Sequence, residues 1–356
     1  MITTKSEISI RKGRHFYITR SAIEVLSNFP FKLLFLLAFS PAFFSACSKE
    51  KPFPDEDGET SLEIILKSPA ATSSGLEVDL YVFNDDAMGM LDSHSRLHPV
   101  GNTVSAASRK GSKRIVAVAN SGEEALDWGS IYTFYNICTA ICRLEKDNPH
   151  RPVLSGTAVY EAGSNKKFGI ELEPVCSRIR LQSISCNFEG RPYQGKVLSD
   201  VKVYLINVCT AASLLPIIGG GCGQEYVNLG GWSDGDTSGG SLWKMLRFDI
   251  DGAVGEAKVM PGKTLYCYPN PILGGVSQPV SKLVIEGRID GHTYYYPIVI
   301  GESSGGILRG ADYAIDVSIT RLGADDPDSS LSPGTLTTGI SVTPWVEKEE
   351  ETIIFN

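Results

Sequence analysis

A serine in a glycine-bounded turn is the first feature whose residue types could do chemistry. Ser303 lies within Gly301-Glu302-Ser303-Ser304-Gly305, which matches the Gly-x-Ser-x-Gly pattern of a nucleophile elbow. An elbow exposes its serine between a strand and a helix, whereas a glycine-rich stretch and another apolar strand follow here. We therefore interpret the segment as a hairpin loop, predict no catalytic residue, and rank a hydrolase as the weakest hypothesis.

Asp92, His94 and His98 form a second candidate group, because all three residue types can bind a metal ion. Histidines four residues apart could share a metal if they lay on one face of a helix. Pro99 follows at once, so we interpret 91–99 as a connection with exposed polar side chains. The sequence predicts neither a metal site nor a cofactor.

Three consecutive tyrosines could offer a stacking platform to a sugar. They are Tyr294-Tyr295-Tyr296. In a strand, alternation would place Tyr295 on one face and its two neighbours on the other. A strand core therefore explains them about as well, and both interpretations stay open.

The cysteines after Cys47 favour a structural role. No Cys-x-x-Cys pair exists, which argues against a zinc ribbon. Several lie in apolar, strand-like segments, where a free thiol behaves as a small hydrophobe. We predict mostly buried thiols, with one or two disulfides left open in an oxidising compartment. The seven residues are Cys138, Cys142, Cys176, Cys186, Cys209, Cys222 and Cys267.

Cys47 ends a pattern that is typical of an export signal. A basic stretch comes first, an apolar run from Leu33 to Phe39 follows, and small residues lead to the cysteine. This order predicts a signal peptide over 1–46, since the run is short for a span of ~20 residues. The residues Phe44-Ser45-Ala46-Cys47 resemble a bacterial lipobox, in which the cysteine is acylated and becomes the new N-terminus. We therefore predict Cys47 as a lipidation site.

The segment over 47–60 is polar and acidic and contains Pro52 and Pro54. We predict that it is a solvated tether between the lipid and the first domain. Acidic residues soon after the cysteine also resemble the surface-export signal of Bacteroidota lipoproteins, which implies an outer-membrane, cell-surface location. The whole chain has 33 basic and 41 acidic residues, and this net charge of -8 argues against a nucleic-acid partner.

Period-two alternation of apolar residues dominates the rest of the chain and predicts half-buried strands. The clearest case is Tyr313, Ile315, Val317 and Ile319, with polar residues between them. Asp290-Gly291 lies between two strand-like runs, a strong signal for a two-residue hairpin. The sequence therefore predicts an all-β protein.

One segment breaks this alternation. Ile131, Phe134, Cys138 and Ile141 have helical spacing, and Ser121 with Glu124 fits a capping box. We expect one or two short helices within 121–144.

A faint internal repeat suggests two tandem antiparallel β-sandwiches, with domains at 61–174 and 175–356. Its three paired segments are 61–67 with 177–188, 77–84 with 201–208, and the strand ending at Asn120 with the strand ending at Asn270. We expect the boundary near Pro174, which separates two strands.

Several short motifs together resemble a known family. They are Leu80-Tyr81-Val82-Phe83, Val116-Ala117-Val118-Ala119-Asn120, Leu154-Ser155-Gly156, Leu265-Tyr266-Cys267-Tyr268-Pro269-Asn270-Pro271, Leu283-Val284-Ile285-Glu286-Gly287, Tyr294-Tyr295-Tyr296-Pro297-Ile298, Arg321-Leu322-Gly323, Asp326-Pro327-Asp328 and Val342-Thr343-Pro344-Trp345. With the lipobox, they make the chain similar to fimbrillin-like subunits of Bacteroidales type V pili, including the FimB-like anchor lipoproteins.

The resemblance implies two transthyretin-like sandwiches, lipid attachment to the outer membrane, and binding to other pilus subunits by strand exchange. Stalk members of the family lose their first strand by cleavage after an arginine. No arginine lies between Cys47 and Arg96, which favours an anchor or accessory subunit. The alternative is a surface lipoprotein that binds a glycan or a host protein. The apolar end Ile353-Ile354-Phe355 would either close the second sandwich or pair with a neighbouring subunit.

Overall fold

The computed structural model describes residues 58–68, 76–122, 130–148, 150–163, 167–216, 225–233, 242–272, 278–332 and 334–345. The predicted signal peptide, Cys47, most of the tether, Cys222 and the Ile353-Ile354-Phe355 end lie outside these residues. No helix in the described ranges has the length and apolar character that crossing a membrane requires. The strands are, in chain order, β1 Glu59–Lys67, β2 Val78–Asn84, β3 Leu91–Leu97, β4 Thr103–Arg109, β5 Gly111–Ala119, β6 Ile141–Arg143, β7 Leu154–Ala162, β8 Phe168–Glu171, β9 Glu173–Pro174, β10 Ser177–Cys186, β11 Ser199–Ile206, β12 Val208–Cys209, β13 Ala211–Ser213, β14 Tyr226–Val227, β15 Arg247–Asp249, β16 Thr264–Cys267, β17 Asn270–Pro271, β18 Lys282–Ile289, β19 His292–Val299, β20 Gly306–Ile307, β21 Ala311–Ile319 and β22 Leu336–Pro344.

Two sheets form the first half of the chain. One has the order β3-β2-β5-β7-β9, and the other has the order β4-β1-β8. Their facing sides enclose a core built on Leu62, Ile64, Leu80, Ile115 and Leu154. The all-β sandwich architecture predicted from alternation is confirmed in this half.

The second half repeats this arrangement. Its sheets have the orders β16-β10-β21-β22 and β15-β11-β18-β19. Sheet position makes β10 the counterpart of β1, β11 of β2 and β18 of β5. The first two pairings of the proposed repeat are therefore confirmed, but the third is wrong. The strand ending at Asn120 is β5, whereas β16 occupies the place of β4.

The sequence predicts antiparallel sheets, but each half also contains one parallel pair of strands. β1 runs parallel to β8, and β10 runs parallel to β21. On its other side, β1 pairs with antiparallel β4, and β10 pairs with antiparallel β16. The first strand of each half is thus central in its sheet. Alternation reports which face is buried and carries no information on strand direction, so it could not reveal this.

The predicted hairpin is confirmed. β18 and β19 pair without interruption from Lys282↔Val299 to Ile289↔His292. Asp290 and Gly291 both have positive φ, 52° and 83°, as a two-residue type I′ turn requires. The alternating residues of β21, Tyr313 to Ile319, are all buried.

Helices occupy little of the described chain. α1 spans Phe134–Cys138 and α2 spans Leu242–Leu246. The predicted helical insertion is confirmed, but its cap is Thr133 with Asn136, which form a reciprocal capping box. Ser121 instead donates a hydrogen bond to buried Asp79, and Glu124 lies outside the described residues.

A second core continues from the outer face of β2 and β5 into the second half. Tyr81, Phe83 and Val118 belong to the same buried cluster as Ile179 and Ile315. Strands β2 and β5 therefore bury both faces, which explains why Val116 to Ala119 are all apolar. The domain boundary at Pro174 stays a prediction.

Candidate functional site

The first strand completes the first sandwich. β1 pairs with β4 over seven residue pairs and with parallel β8 over four. Its inward side chains Leu62, Ile64 and Leu66 are all buried. β4 and β8 do not pair with each other, so β1 alone joins them. Its removal would leave two rows of unpaired backbone groups beside an apolar groove.

The charges around β1 are exposed ion pairs. Lys167 bonds to Glu63 at 2.5 Å, and Lys67 lies 3.8 Å from Glu171. Exposed pairs of this kind contribute about 0–1 kcal/mol each. The strand is therefore held mainly by its backbone ladders and its buried side chains.

The last described strand forms an open edge. β22 pairs with β21 over its full length, from Ala311↔Pro344 to Ile319↔Leu336, and has no second neighbour among the described strands. Leu336, Thr338 and Ile340 share one face and line a cleft of about 590 Å³ opposite Ile298 on β19. Among the described strands β19 is the edge of the facing sheet, with one isolated bridge from Tyr295 to Ala324 outside the cleft. Both sheets of the second half therefore end at this cleft.

A larger groove lies where β1 and β9 approach the end of β22. It has a volume of about 810 Å³, and apolar residues from both halves line it. Among them are Leu66, Leu172, Pro174, Val342 and Trp345. The groove is thus continuous with the end of the first strand.

Arg309 lines this groove and connects the two halves. Its guanidinium donates to the carbonyls of Ser213 and Leu214 and to Ser155 Oγ, at 2.8–3.0 Å. Ser155 Oγ in turn donates to the Leu214 carbonyl. Burial lowers the pKa of Arg309. No motif in the sequence distinguishes this arginine from the others.

The predicted metal group is not assembled. Asp92 and His94 lie on β3, so the interpretation of 91–99 as a connection is wrong. Antiparallel pairing with β2 holds the segment as a strand. His94 Nε2 contacts Asp79 Oδ1 at 3.1 Å and its ring stacks on Tyr81, while Asp92 faces other partners. Within the described ranges, no three acidic, cysteine or histidine residues form a metal-binding group.

Asp92 instead anchors a buried polar cluster. It accepts hydrogen bonds from Ser108 Oγ, the Arg109 backbone and the Arg109 side chain, and pairs with Lys113. Burial opposes its ionisation, but the hydrogen bonds outweigh burial and lower the pKa to about 2. Apolar alternation alone does not reveal Lys113, because a charged residue interrupts that pattern. The available signal was a charge at an inward position of β5, in register with Ile115 and Ala117.

Ser303 lies in a short 3-10 helix, Glu302–Ser304, between two glycines of positive φ. The strand β20 follows this segment, as the sequence predicts, and no helix stands in its place. The segment is not a hairpin loop, however, because β20 pairs with β17 and not with β19.

The three tyrosines alternate as a strand requires. Tyr296 is buried in the second core, and Tyr294 packs partly against the same core. Tyr295 faces the opposite side, where it contacts a small cluster of Tyr204, Ile206 and Val284 with Trp232. The three rings do not form one platform.

The cysteines follow the prediction with one correction. Cys138 is a half-buried free thiol, and the other described free thiols are buried. Cys209, which was expected to be a buried thiol, is disulfide-bonded. The buried free thiols are Cys142, Cys176, Cys186 and Cys267.

Comparison with known proteins identifies the fold. No protein-family model matches the chain, and no curated protein matches it. A solved structure of a Parabacteroides distasonis protein assigned to cell adhesion has a TM-score of 0.60 at 16% identity, covering 82% of this chain and 99% of that one. The fimbrilin FimA of Porphyromonas gingivalis has a TM-score of 0.57 at 15% identity, covering 80% and 97%. The tip fimbrial protein Mfa3 of that organism has a TM-score of 0.50 at 10% identity, covering 81% and 100%.

These likenesses establish a shared all-β architecture over almost the whole length of the compared chains. Identities of this size define the fold alone, and function depends on the chemistry and geometry of the chain's own surfaces.

Proposed function

We propose that this chain is a subunit of a surface pilus, held in the outer membrane by lipid on Cys47. The observation that carries the proposal is the position of β1, the first described strand, which alone joins β4 to β8 in the first sandwich. A strand placed in this way can be retained by its own chain or replaced by a strand from another subunit. The fold shared with the fimbrilin and the tip fimbrial protein supports this role.

Within that role, we propose an anchor or accessory subunit that keeps β1. The tether would run from the lipid directly into this strand, and no arginine lies in the chain between Cys47 and β1. A retained β1 leaves the first sandwich closed. Contacts with other subunits would then use the open cleft between β19 and β22, which a donated strand could fill.

Replacing Cys47 tests the anchor directly. Acyl chains contribute ~0.8 kcal/mol per buried methylene, so Cys47→Ala should release the protein into the medium. Pili should be released with it, and a fatty-acid analogue should label only the wild type. Ser48→Ala serves as the matched control and should stay bound. Pili that remain attached to cells while the variant is found in the medium would contradict the anchor role.

A second candidate function is glycan or host-protein binding. The observation that favours it is the half-buried aromatic pair Trp232 and Tyr295 beside Tyr204. Such rings can stack on a sugar face. A Trp232→Ala variant that loses binding to a glycan array, in cells whose pili stay attached, would favour this candidate.

A further inference from the structure

A lysine, an asparagine and an aspartate meet at the inner edge of the first core. Lys113 Nζ lies 2.6 Å from Asn84 Oδ1 and 3.0 Å from Asp92 Oδ2. The side chain of Lys113 is 3% exposed and that of Asp92 is 2% exposed. An amine, a carboxamide and a carboxylate are therefore held together largely out of water.

Three neighbouring strands fix this geometry. Asn84 and Lys113 are direct cross-strand partners at the end of the β2–β5 ladder. Both point to the same face as Val82 and Ile115, which is the face of the first core. The register between β2 and β3 shifts so that Val82 pairs with Ser93 and Phe83 with Leu91. Asp92 is thus the extra residue of a β-bulge, and bulges re-aim side chains.

The cluster also has an uneven charge. Lys113 and Arg109 both pair with the single Asp92 carboxylate. Arg109 is half exposed, so the buried charges are those of Lys113 and Asp92, and burying an ion pair costs desolvation free energy. A reaction that removed the charge of Lys113 would leave one arginine paired with one aspartate.

We propose that Lys113 and Asn84 join in an intramolecular isopeptide bond, with Asp92 as its proton-transfer residue. Asp92 takes a proton from the lysine ammonium, and the neutral Nζ attacks Cγ of Asn84. The new Nζ–Cγ bond forms as the Cγ–Nδ2 bond breaks. Asp92 returns this proton to the leaving nitrogen. It then relays a second proton from the newly bonded Nζ, so that the leaving nitrogen departs as ammonium and a secondary amide remains.

The atoms and charges balance without any co-reactant. A lysine ammonium and a carboxamide become a secondary amide and an ammonium ion, and Asp92 ends as the carboxylate it was at the start. The protein loses one positive charge, and Arg109 alone then balances Asp92. The bond would join β2 to β5 covalently, within the sandwich that β1 closes.

Mass spectrometry of the purified protein tests the proposal. The intact mass should be lower, by the mass of one ammonia, than the value calculated for its processed sequence. A protease digest should yield a branched peptide that links the segments carrying Asn84 and Lys113. A wild-type protein of unreduced mass, or an ammonia loss that maps to another site, would overturn the proposal whatever the variants do.

Variants then assign the roles. Asn84→Ala should restore the full calculated mass, and persistence of the deficit would contradict the proposed bond. Asp92→Asn should slow linkage about a hundredfold, as expected for loss of general acid–base assistance.

The second half of the chain provides a control. Lys202 is the cross-strand partner of Glu286 on β11 and β18, and lies 2.8 Å from it, but that pair has no carboxamide. Lys202→Arg should therefore leave the mass deficit unchanged.

Discussion

Asp147 lies in the junction between the two halves, where burial and hydrogen bonding oppose each other. Its carboxylate accepts hydrogen bonds from the backbone of Asn148 and Val153 and from Tyr268 Oη, at 2.9, 3.2 and 3.4 Å. Burial is the larger effect and raises its pKa to about 6. The charged form is thus less favourable in the folded chain than in the unfolded chain.

This raised pKa predicts a pH dependence of stability. The folded chain holds the Asp147 proton more tightly, so the contribution is fully present below the ordinary pKa of 3.8 and is lost as the pH rises through about 6. Asp147→Asn keeps an oxygen acceptor and removes the charge. We expect it to raise the free energy of unfolding at pH 8 by up to ~3 kcal/mol, and much less at pH 4. Urea unfolding of both proteins at the two pH values measures this, and an equal difference at both would contradict it.

The contribution of β1 to the stability of the first sandwich comes mainly from the side chains on its inward face. Ile64 is fully buried between the two sheets, whereas the adjacent Ile65 lies on the opposite face and is only half-buried. Removing buried methylenes costs transfer free energy and leaves a cavity.

We therefore expect Ile64→Ala to lower the free energy of unfolding by ~2–5 kcal/mol. Ile65→Ala, the same chemical change on the other face, should cost clearly less. Chemical denaturation of the two variants provides the comparison. Equal losses would mean that the face of β1, and hence its role in closing the sandwich, is assigned wrongly.

The elements that sequence could predict are those determined by local chemistry. The Asp290-Gly291 turn requires only two residues that tolerate positive φ. The strand from Tyr313 to Ile319 requires only that alternate residues be apolar, so that one face can be buried. Strand β3 was missed because its polar side chains bind partners on other strands, such as Asp79 of β2 for His94, and apolar alternation does not report such contacts. The parallel pairing of β1 with β8 also depends on residues about a hundred positions apart.

Gly156 shows what a motif can conceal. This glycine belongs to one of the motifs on which the family resemblance rests. The three-dimensional structure shows why the position requires a glycine. A Cβ at this position of β7 would lie 2.0 Å from the Glu171 carbonyl oxygen of β8. Only glycine allows β7 to approach the facing sheet this closely, and no sequence pattern reports that contact.

Across the whole molecule, the two halves share a topology but differ in how their first strands are held. β10 follows β9 and precedes β11 along the chain, whereas β1 is the first described strand. In the proposed anchor, force from a pilus would reach the lipid through β1, which its two ladders and buried side chains retain.

The open cleft of the second half yields the last prediction. Ile340 lines this cleft and is 38% exposed, so Ile340→Lys should change the free energy of unfolding by no more than about 0.5 kcal/mol. A strand added between β22 and β19 would have to bury that lysine without a partner, which is strongly unfavourable. We therefore expect the variant to fold, to stay lipid-anchored and to lose its attachment to pilus polymer, measured by co-purification from envelope extracts. Ser341→Lys places the same charge on the outward face of β22 and should keep attachment. If both variants retain polymer, the joint between subunits lies elsewhere on the molecule.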